Sequence, residues 1–324
     1  MTTVDATLRH ALEVSGRDLI LTLDPALQGL PETAHGGSVL AVFDMLAGVT
    51  TPREVSGIYR RRVPLGVPLT LRRAHEDSAE TFALCDPTDA VLVDGRVAAL
   101  GTDADDDALS RPGGGAVALR GPVLSGLVRS VATAPISREM ASVVPEGPPP
   151  PRPADLNDDT AHLLPISRAC FACGTDNELG LRAQLAFDAD AVRGTWQPRA
   201  PFRRADGTLA PAALTTLLDE AAFWLGALAT GESGMTTELR VALHRSVPFE
   251  ALITLSGARA SVRPRNDDAR YQDTEIVARA GGEVVATARI TFVAVRGAAR
   301  RLVTGMLAIN DAESVRRVFP AYTR

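Results

Sequence analysis

The chain of 324 residues contains no lysine, so all 34 of its basic side chains are arginines. Without a lysine, the protein cannot form a Schiff base with a carbonyl compound or anchor pyridoxal phosphate covalently. The same absence excludes a P-loop, which needs a lysine to reach the phosphates of a nucleotide. One missing residue type therefore excludes several large classes of enzyme.

Cysteine is also scarce: only Cys85, Cys170 and Cys173 occur. An odd, small number in a chain of this length does not indicate a disulfide framework. The first residues lack a basic segment followed by an apolar run, so no signal peptide is predicted. No uninterrupted apolar stretch approaches the roughly 18 residues of a membrane-spanning helix. We expect a cytoplasmic protein.

Charged residues are present in ordinary numbers and are spread along the chain. The 34 basic and 39 acidic residues give a net charge of −5, and 45% of the residues are apolar. Scattered charges of both signs argue against a nucleic acid or an anionic membrane as the main partner. This length and composition are typical of a folded protein with two domains.

A proline-rich segment divides the chain near its middle. Residues 143–153 read VVPEGPPPPRP, and four consecutive prolines favour an extended polyproline conformation over a helix or central strand. We predict a linker over residues 143–160. It would separate an N-terminal domain, residues 1–142, from a C-terminal domain, residues 161–324.

The two halves carry a faint internal repeat. Residues 61–71 and 245–255 both fit the pattern R-x-V-P-x4-[LI]-T-L. Upstream of each copy, an apolar helix follows a short turn, H-G-G in the first half and A-P-A in the second. Asp44 and Asp219 occupy matching positions in these helices. The shared order of the blocks indicates a duplication.

Each half shows the same order of predicted elements. A strand comes first, and a helix follows over residues 38–47 or 213–229. The second helix is apolar nearly all round, which is typical of a buried helix. Several strands come next, many with alternating burial, as expected for antiparallel sheets. One buried helix wrapped by an antiparallel sheet, twice over, predicts an α+β architecture.

At this point the sequence resembles the hotdog-fold acyl-CoA thioesterases of the phenylacetate-pathway type. The resemblance rests on H-G-G (residues 35–37) with Asp44 nine residues after the histidine, C-F-A-C-G-x-x-N-x-x-G-L (170–181) and L-L-D-E-A (217–221). It covers residues 15–100 and 168–296, and leaves 102–142 and the tail after 296 unexplained. It implies two tandem hotdog domains paired as a pseudo-dimer.

The resemblance also implies a composite site between the halves. The Gly36 N–H would polarise a thioester carbonyl, and Asp219 would act as nucleophile or as base toward water. A carboxylate in an apolar helix costs several kcal/mol unless it is partnered or functional. His35 belongs to the site, although it could simply hold the turn. Glu220 and Thr236, the latter as a holder of water, complete the set of catalytic candidates.

The second pseudo-site would combine the A-P-A turn with Asp44. Pro211 occupies the position of the donor glycine there, and proline has no N–H. Loss of one such donor costs about a hundredfold to a thousandfold in rate. We therefore expect the second site to be degenerate, with a structural role for Asp44. One working site per chain would remain.

Three further residues are expected around the substrate. Gly37 would let the helix and loop pack closely, Arg61 could contact the phosphates of coenzyme A, and Phe223 would add aromatic bulk. The pair Cys170-x-x-Cys173 invites a zinc interpretation. Since only His162 and the distant Cys85 remain to complete four ligands, we predict a structural role for the pair and no metal site.

Three functions remain open from the sequence. The first is hydrolysis of an acyl thioester of coenzyme A or an acyl carrier protein, with coenzyme A as part of the substrate and no separate cofactor. The second is a hotdog hydratase or dehydratase of 3-hydroxyacyl thioesters that uses His35 with Asp219 or Glu220. The third is a non-catalytic acyl-binding protein. A monomer would hold a complete site, and a homodimer of pseudo-dimers is possible.

Overall fold

The computed structural model describes residues 2–15, 18–101 and 161–323. The segment 102–142 and the linker predicted over 143–160 lie outside the described residues. Within the described ranges the chain forms five α-helices and one large antiparallel sheet of 14 strands.

The helices are numbered in chain order. They are α1 (Val4–His10), α2 (Gly36–Ala47), α3 (Pro211–Thr230), α4 (Ala299–Met306) and α5 (Ala312–Val318). The strands of the first half are β1 (Leu12–Ser15), β2 (Asp18–Leu21), β3 (Arg53–Tyr59), β4 (Leu69–Glu76), β5 (Ala79–Cys85) and β6 (Val91–Ala99). Those of the second half are β7 (His162–Leu163), β8 (Leu185–Phe187), β9 (Ala191–Trp196), β10 (Gly234–Leu243), β11 (Ile253–Ala258), β12 (Arg263–Pro264), β13 (Tyr271–Ala280) and β14 (Glu283–Ala294).

The two long helices begin and end by the same local rules. His35 is the N-cap of α2, and Pro211 is the first residue of α3, where a missing N–H costs no helical hydrogen bond. Each helix ends at a glycine in the left-handed region, Gly48 with φ 64° and Gly231 with φ 66°. Glycine adopts this conformation without a steric penalty, so both stops follow from the sequence.

The halves join edge to edge through β3 and β10. These strands pair antiparallel, with Val55 opposite Val241, and the sheet runs β1-β2-β4-β5-β6-β3-β10-β14-β13-β11-β9-β8-β7, with β12 paired to β13. The helices α2 and α3 pack against each other inside this sheet. A Cβ at Gly37 would lie 2.5 Å from the Thr216 Cα, so glycine permits the close approach. The predicted α+β fold, two tandem hotdog domains as a pseudo-dimer, is confirmed.

Helix α3 is long and apolar enough to span a membrane by length and composition alone, but 83% of its apolar 18-residue stretch is buried inside the protein. It is the core helix of the second half. Its Trp224 packs against Phe319, with ring centroids 6.4 Å apart. Phe319 directly follows α5, so the tail that the family resemblance leaves unexplained covers the end of the core.

Strand β8 starts later than the sequence predicts. We predict a strand over residues 181–187, but regular pairing covers only Leu185–Phe187. Arg182 has a φ of 52°, in the left-handed region. Extended backbone cannot run through that conformation, so the strand starts later.

Candidate active site

The N-terminus of α2 lies against the side of α3. Gly36 is the first residue of α2, and a Cβ there would lie 2.6 Å from Asp219 Oδ2. Only glycine fits in this arrangement without moving the carboxylate. Among the described residues, no group accepts a hydrogen bond from the Gly36 N–H. The helix therefore presents a backbone donor beside a carboxylate of the other half.

Both oxygens of the Asp219 carboxylate are held in place. The Gly37 N–H donates to Oδ2 over 3.0 Å, and the Thr236 hydroxyl donates to Oδ1 over 2.6 Å. Asp219 is only 5% exposed. Donors from two different elements fix the orientation of a buried carboxylate that would otherwise be costly to hold there.

His35 lies between two carboxylates of α3. Its Nδ1 is 3.2 Å from Asp219 Oδ2, and its Nε2 is 3.5 Å from Glu220 Oε2. Burial alone would lower the pKa of His35, but its hydrogen bonds with Asp219 and Glu220 raise that pKa well above the ordinary value. The predicted pair of successive acidic residues thus flanks one imidazole, with one carboxylate at each ring nitrogen.

Tyr59, at the end of β3, is a member of the site that the sequence argument missed. Its hydroxyl donates to the Gly36 carbonyl over 2.6 Å. Burial, and then the charge of Asp219, raise the pKa of Tyr59 well above its ordinary value. The only sequence signal for it is its place on the strand that follows α2.

A cavity of about 330 Å³ opens beside these groups. Two predicted substrate residues, Arg61 and Phe223, line its wall. All five catalytic candidates line it as well: His35, Gly36, Asp219, Glu220 and Thr236. The Arg61 side chain is 63% exposed. Gly37 lies behind the wall, packed on α3. The rest of the lining includes apolar side chains of the tail: Leu302, Met306 and Ile309.

The second pseudo-site is built differently. Both carboxylate oxygens of Asp44 accept hydrogen bonds from the Arg53 guanidinium, Oδ1 from Nε and Oδ2 from Nη2. Both side chains are buried. The first residue of α3 is Pro211, which has no N–H to offer. Asp44 is thus engaged in a bidentate ion pair.

The two cysteines of the C-x-x-C pair also lie in the wall of the cavity. Their loop is tied to the first half, because the Phe171 N–H donates to the Gln28 carbonyl over 2.6 Å. The prediction that only His162 and Cys85 could serve as further metal ligands beside this pair is wrong. The fold brings His35 and Glu220 to the Cys170 thiol, with ligand atoms within 4.8 Å of one another.

The thiols of the two cysteines differ electrostatically. Hydrogen bonding with Cys173 lowers the pKa of Cys170, and the Ala172 N–H also donates to the Cys170 sulfur over 3.3 Å. The same pairing with Cys170, together with burial, raises the pKa of Cys173 well above its ordinary value. Cys170 is the thiol that its surroundings favour as a thiolate.

No family model and no curated protein matches this sequence. Solved structures do match. A candidate thioesterase II from Thermobifida fusca YX is 16% identical over 91% of this chain and 98% of its own, with a TM-score of 0.54. A candidate thioesterase from Novosphingobium aromaticivorans DSM 12444 is 15% identical over 88% of this chain and 98% of its own, with a TM-score of 0.51. At identities this low, the structural likeness establishes a shared fold along nearly the whole length of the chain, and no more than that.

Proposed function

We propose that the protein hydrolyses acyl thioesters, of coenzyme A or an acyl carrier protein, at the composite site between its halves. One observation carries the proposal: the Gly36 N–H of the first half and the Asp219 carboxylate of the second half share one cavity wall. A thioester placed there meets a polarising donor and a base together. The two structures of the same fold, both described as candidate thioesterases, support this reaction class.

The N-terminus of α2 supplies the polarising group. Backbone N–H groups at a helix start carry a partial positive charge, which the helix dipole reinforces. A fixed donor of this kind stabilises the negative charge that develops on a carbonyl oxygen during attack. The Gly36 N–H is suited to this role because it is not bonded within the described part of the chain.

Asp219 acts as the base in this scheme. It takes a proton from a water molecule, whose oxygen attacks the thioester carbonyl carbon. The C–S bond then breaks, the acyl group leaves as a carboxylic acid and the thiolate takes up the proton as free thiol. The Thr236 hydroxyl and the Gly37 N–H hold the carboxylate in one orientation, which a positioned general base requires.

The lining of the cavity combines the two kinds of side chain that an acyl thioester needs. Some of them are apolar, including Phe223, Leu302 and Met306. Four arginines also line it: Arg61, Arg62, Arg168 and Arg301. The acyl chain would lie against the apolar side chains, and the arginines would bind the phosphates of coenzyme A or of a carrier's phosphopantetheine.

A hydratase or dehydratase is the second candidate, because His35 contacts the carboxylates of both Asp219 and Glu220. Such an enzyme would use the histidine of one half and a carboxylate on the helix of the other half. Here a carboxylate lies 3.2 Å from Nδ1 and another lies 3.5 Å from Nε2, so substrate would compete with a carboxylate for either nitrogen. The geometry thus favours hydrolysis.

A thiol-release assay separates the candidates. The purified protein is offered short, medium, long and aromatic acyl-CoAs, with Asp219→Ala as the control variant. Hydrolysis predicts free thiol that disappears in Asp219→Ala and persists in part in His35→Ala. Conversion of an enoyl thioester without thiol release would indicate the hydratase. Binding without any turnover would leave only an acyl-binding protein.

A further inference from the structure

We propose that His35, Cys170, Cys173 and Glu220 form a binding site for zinc or a similar thiolate-binding divalent metal ion. The site lies in the cavity wall beside Asp219, but the inference does not depend on the proposed hydrolysis. It rests on the placement of four ligand-type side chains that come from three separate segments of the chain. Three of them, His35, Cys170 and Glu220, place their ligand atoms within 4.8 Å of one another, and all three are buried.

The spacing of these atoms suits one metal ion. An ion at the centre of a triangle with 4.8 Å sides would lie about 2.8 Å from each corner, and zinc bonds to nitrogen, oxygen and sulfur are about 2.0–2.3 Å long. Small side-chain movements therefore suffice to close the site. Imidazole, thiolate and carboxylate are the three ligand types that zinc uses in proteins.

Cys173 supplies the fourth ligand of a tetrahedral set. The C-x-x-C spacing is the one that zinc sites use to present two thiolates from a single tight turn. The turn is tight here: the Gly174 N–H donates to the Cys170 carbonyl over 2.8 Å. A Cβ at Gly174 would lie 2.2 Å from the same carbonyl oxygen, so the glycine of C-F-A-C-G permits the turn.

The neighbours of the ligands are arranged as a metal site requires. A zinc-bound histidine commonly donates its other ring N–H to a carboxylate, which fixes the ring. Asp219 Oδ2 lies 3.2 Å from His35 Nδ1, and Nε2 faces Glu220 Oε2. The Gly37 N–H is directed at both His35 Nδ1 and Asp219 Oδ2. With a metal at Nε2, the Nδ1–H would donate to Asp219, and the Gly37 N–H would donate to Asp219 alone. The Trp224 indole N–H donates to Glu220 Oε1 over 2.9 Å, so Oε2 remains for the metal.

A bound metal would also keep Glu220 partnered. Asp219 and Glu220 are two buried carboxylates, and His35 is their one ion-pair partner among the described residues. The metal ion would take the place of the proton at His35 Nε2, which faces Glu220. It would thereby anchor the 170–174 turn to α3 and to the start of α2.

Metal binding by the reduced, full-length protein tests the inference. The protein is loaded with Zn²⁺, passed through a desalting column and measured by elemental analysis, and its affinity is determined against a chromophoric chelator. We expect about one zinc per chain. Cys170→Ser and Cys173→Ser should each weaken binding by more than about tenfold, because loss of even an outer-shell partner of a metal ligand costs about 10–100-fold in affinity. Cys85→Ser is the matched control, because Cys85 is a buried cysteine of β5 outside the site.

Cobalt gives a readout in the wild-type protein that does not depend on the folding of any variant. Co²⁺ bound by thiolates gives sulfur-to-metal charge-transfer absorption and tetrahedral ligand-field bands, and we expect both. Absence of these bands, or no zinc retained by the reduced wild-type protein, would overturn the inference. So would equal affinity in Cys170→Ser and Cys85→Ser. Thiol release is measured separately, so a metal site without hydrolysis and hydrolysis without a metal are distinguishable.

Discussion

The two central helices of this protein start in nearly the same way and differ in the chemistry of their first residue. Helix α2 begins at Gly36, whose N–H lies beside Asp219 of the other half, whereas α3 begins at Pro211, which has no N–H. The partners of the two matching carboxylates differ too. Asp219 accepts from the Thr236 hydroxyl and the Gly37 N–H and pairs with His35. Asp44 accepts from the Arg53 guanidinium.

This difference suits the two carboxylates to different roles. A hydroxyl and a backbone N–H orient the Asp219 carboxylate, and its one ion-pair partner also faces a second carboxylate. A bidentate guanidinium occupies both oxygens of Asp44 and neutralises its charge. We infer that Asp44 and Arg53 stabilise the first half, whereas Asp219 serves as the base. The comparison predicts that equivalent changes in the two halves have unequal effects.

The largest difference is expected between Asp219→Asn and Asp44→Asn. Loss of the base should lower kcat/KM by about 10²–10⁴-fold. Asp44→Asn should leave kcat/KM unchanged, and should instead lower the free energy of unfolding by about 3–5 kcal/mol, because it leaves Arg53 buried without its partner. Thiol release and denaturant unfolding of both variants measure this. A rate loss in Asp44→Asn at conditions where it is folded would contradict the assignment.

The next largest effect is expected from Gly36→Ala. Its Cβ would lie 2.6 Å from Asp219 Oδ2, so the carboxylate must move. A displacement of about 1 Å at a catalytic group can cost about a hundredfold in rate. Pro211→Ala is the matched change at the other helix start and should leave the rate unaltered. Steady-state kinetics of both variants measure this difference. Equal rates for Gly36→Ala and Pro211→Ala would contradict a special role of the Gly36 position.

A smaller effect is expected from Thr236→Val, which removes the hydroxyl bonded to Asp219 Oδ1 and keeps the shape of the side chain. A hydrogen bond to a charged group contributes about 1.5–3 kcal/mol, and its full loss from the transition state corresponds to roughly 10–160-fold in kcat. Thr236→Ser should restore most of the rate, since it retains the hydroxyl. If Val and Ser behave alike, the hydroxyl has no role in orienting the base.

Arg53→Met is expected to change stability and to leave kcat unaltered. The variant should be about 3–5 kcal/mol less stable than the wild type, because Asp44 stays buried without its partner. Combining it with Asp44→Asn removes the uncompensated charge, so the double variant should be more stable than Arg53→Met alone. A double-mutant cycle by denaturant unfolding measures this coupling. Simple additivity would show that the two side chains do not act as a pair.

Much of the fold could be predicted because it follows from local patterns. The apolar run of α3, the glycines that end both helices and the alternation along β14 are signals within short stretches of sequence. The repeat identified Asp44 and Asp219 as equivalent positions, and the family resemblance implied that each carboxylate faces the helix start of the other half. The structure places His35 and Gly36 beside Asp219, as that resemblance implies.

The remaining features of the fold and the candidate site depend on long-range contacts, which the spacing of residues along the sequence does not reveal. Cys170 reaches His35 because its loop crosses to the first half, where the Asn177 side chain donates to the Ala26 carbonyl over 2.7 Å. Tyr59 joins the site from the far end of β3. The tail after residue 296 reaches the core through Phe319 and Trp224. These contacts between distant segments could not be predicted from the positions of ligand-type residues in the sequence.

We propose that only one of the two pseudo-equivalent helix starts forms a working site. Isothermal titration calorimetry tests this with a non-hydrolysable thioether analogue of the best acyl-CoA substrate. We expect one analogue to bind per chain, with binding unchanged in Asp44→Asn and Pro211→Ala. Two equivalent analogues per chain would show that both helix starts bind substrate.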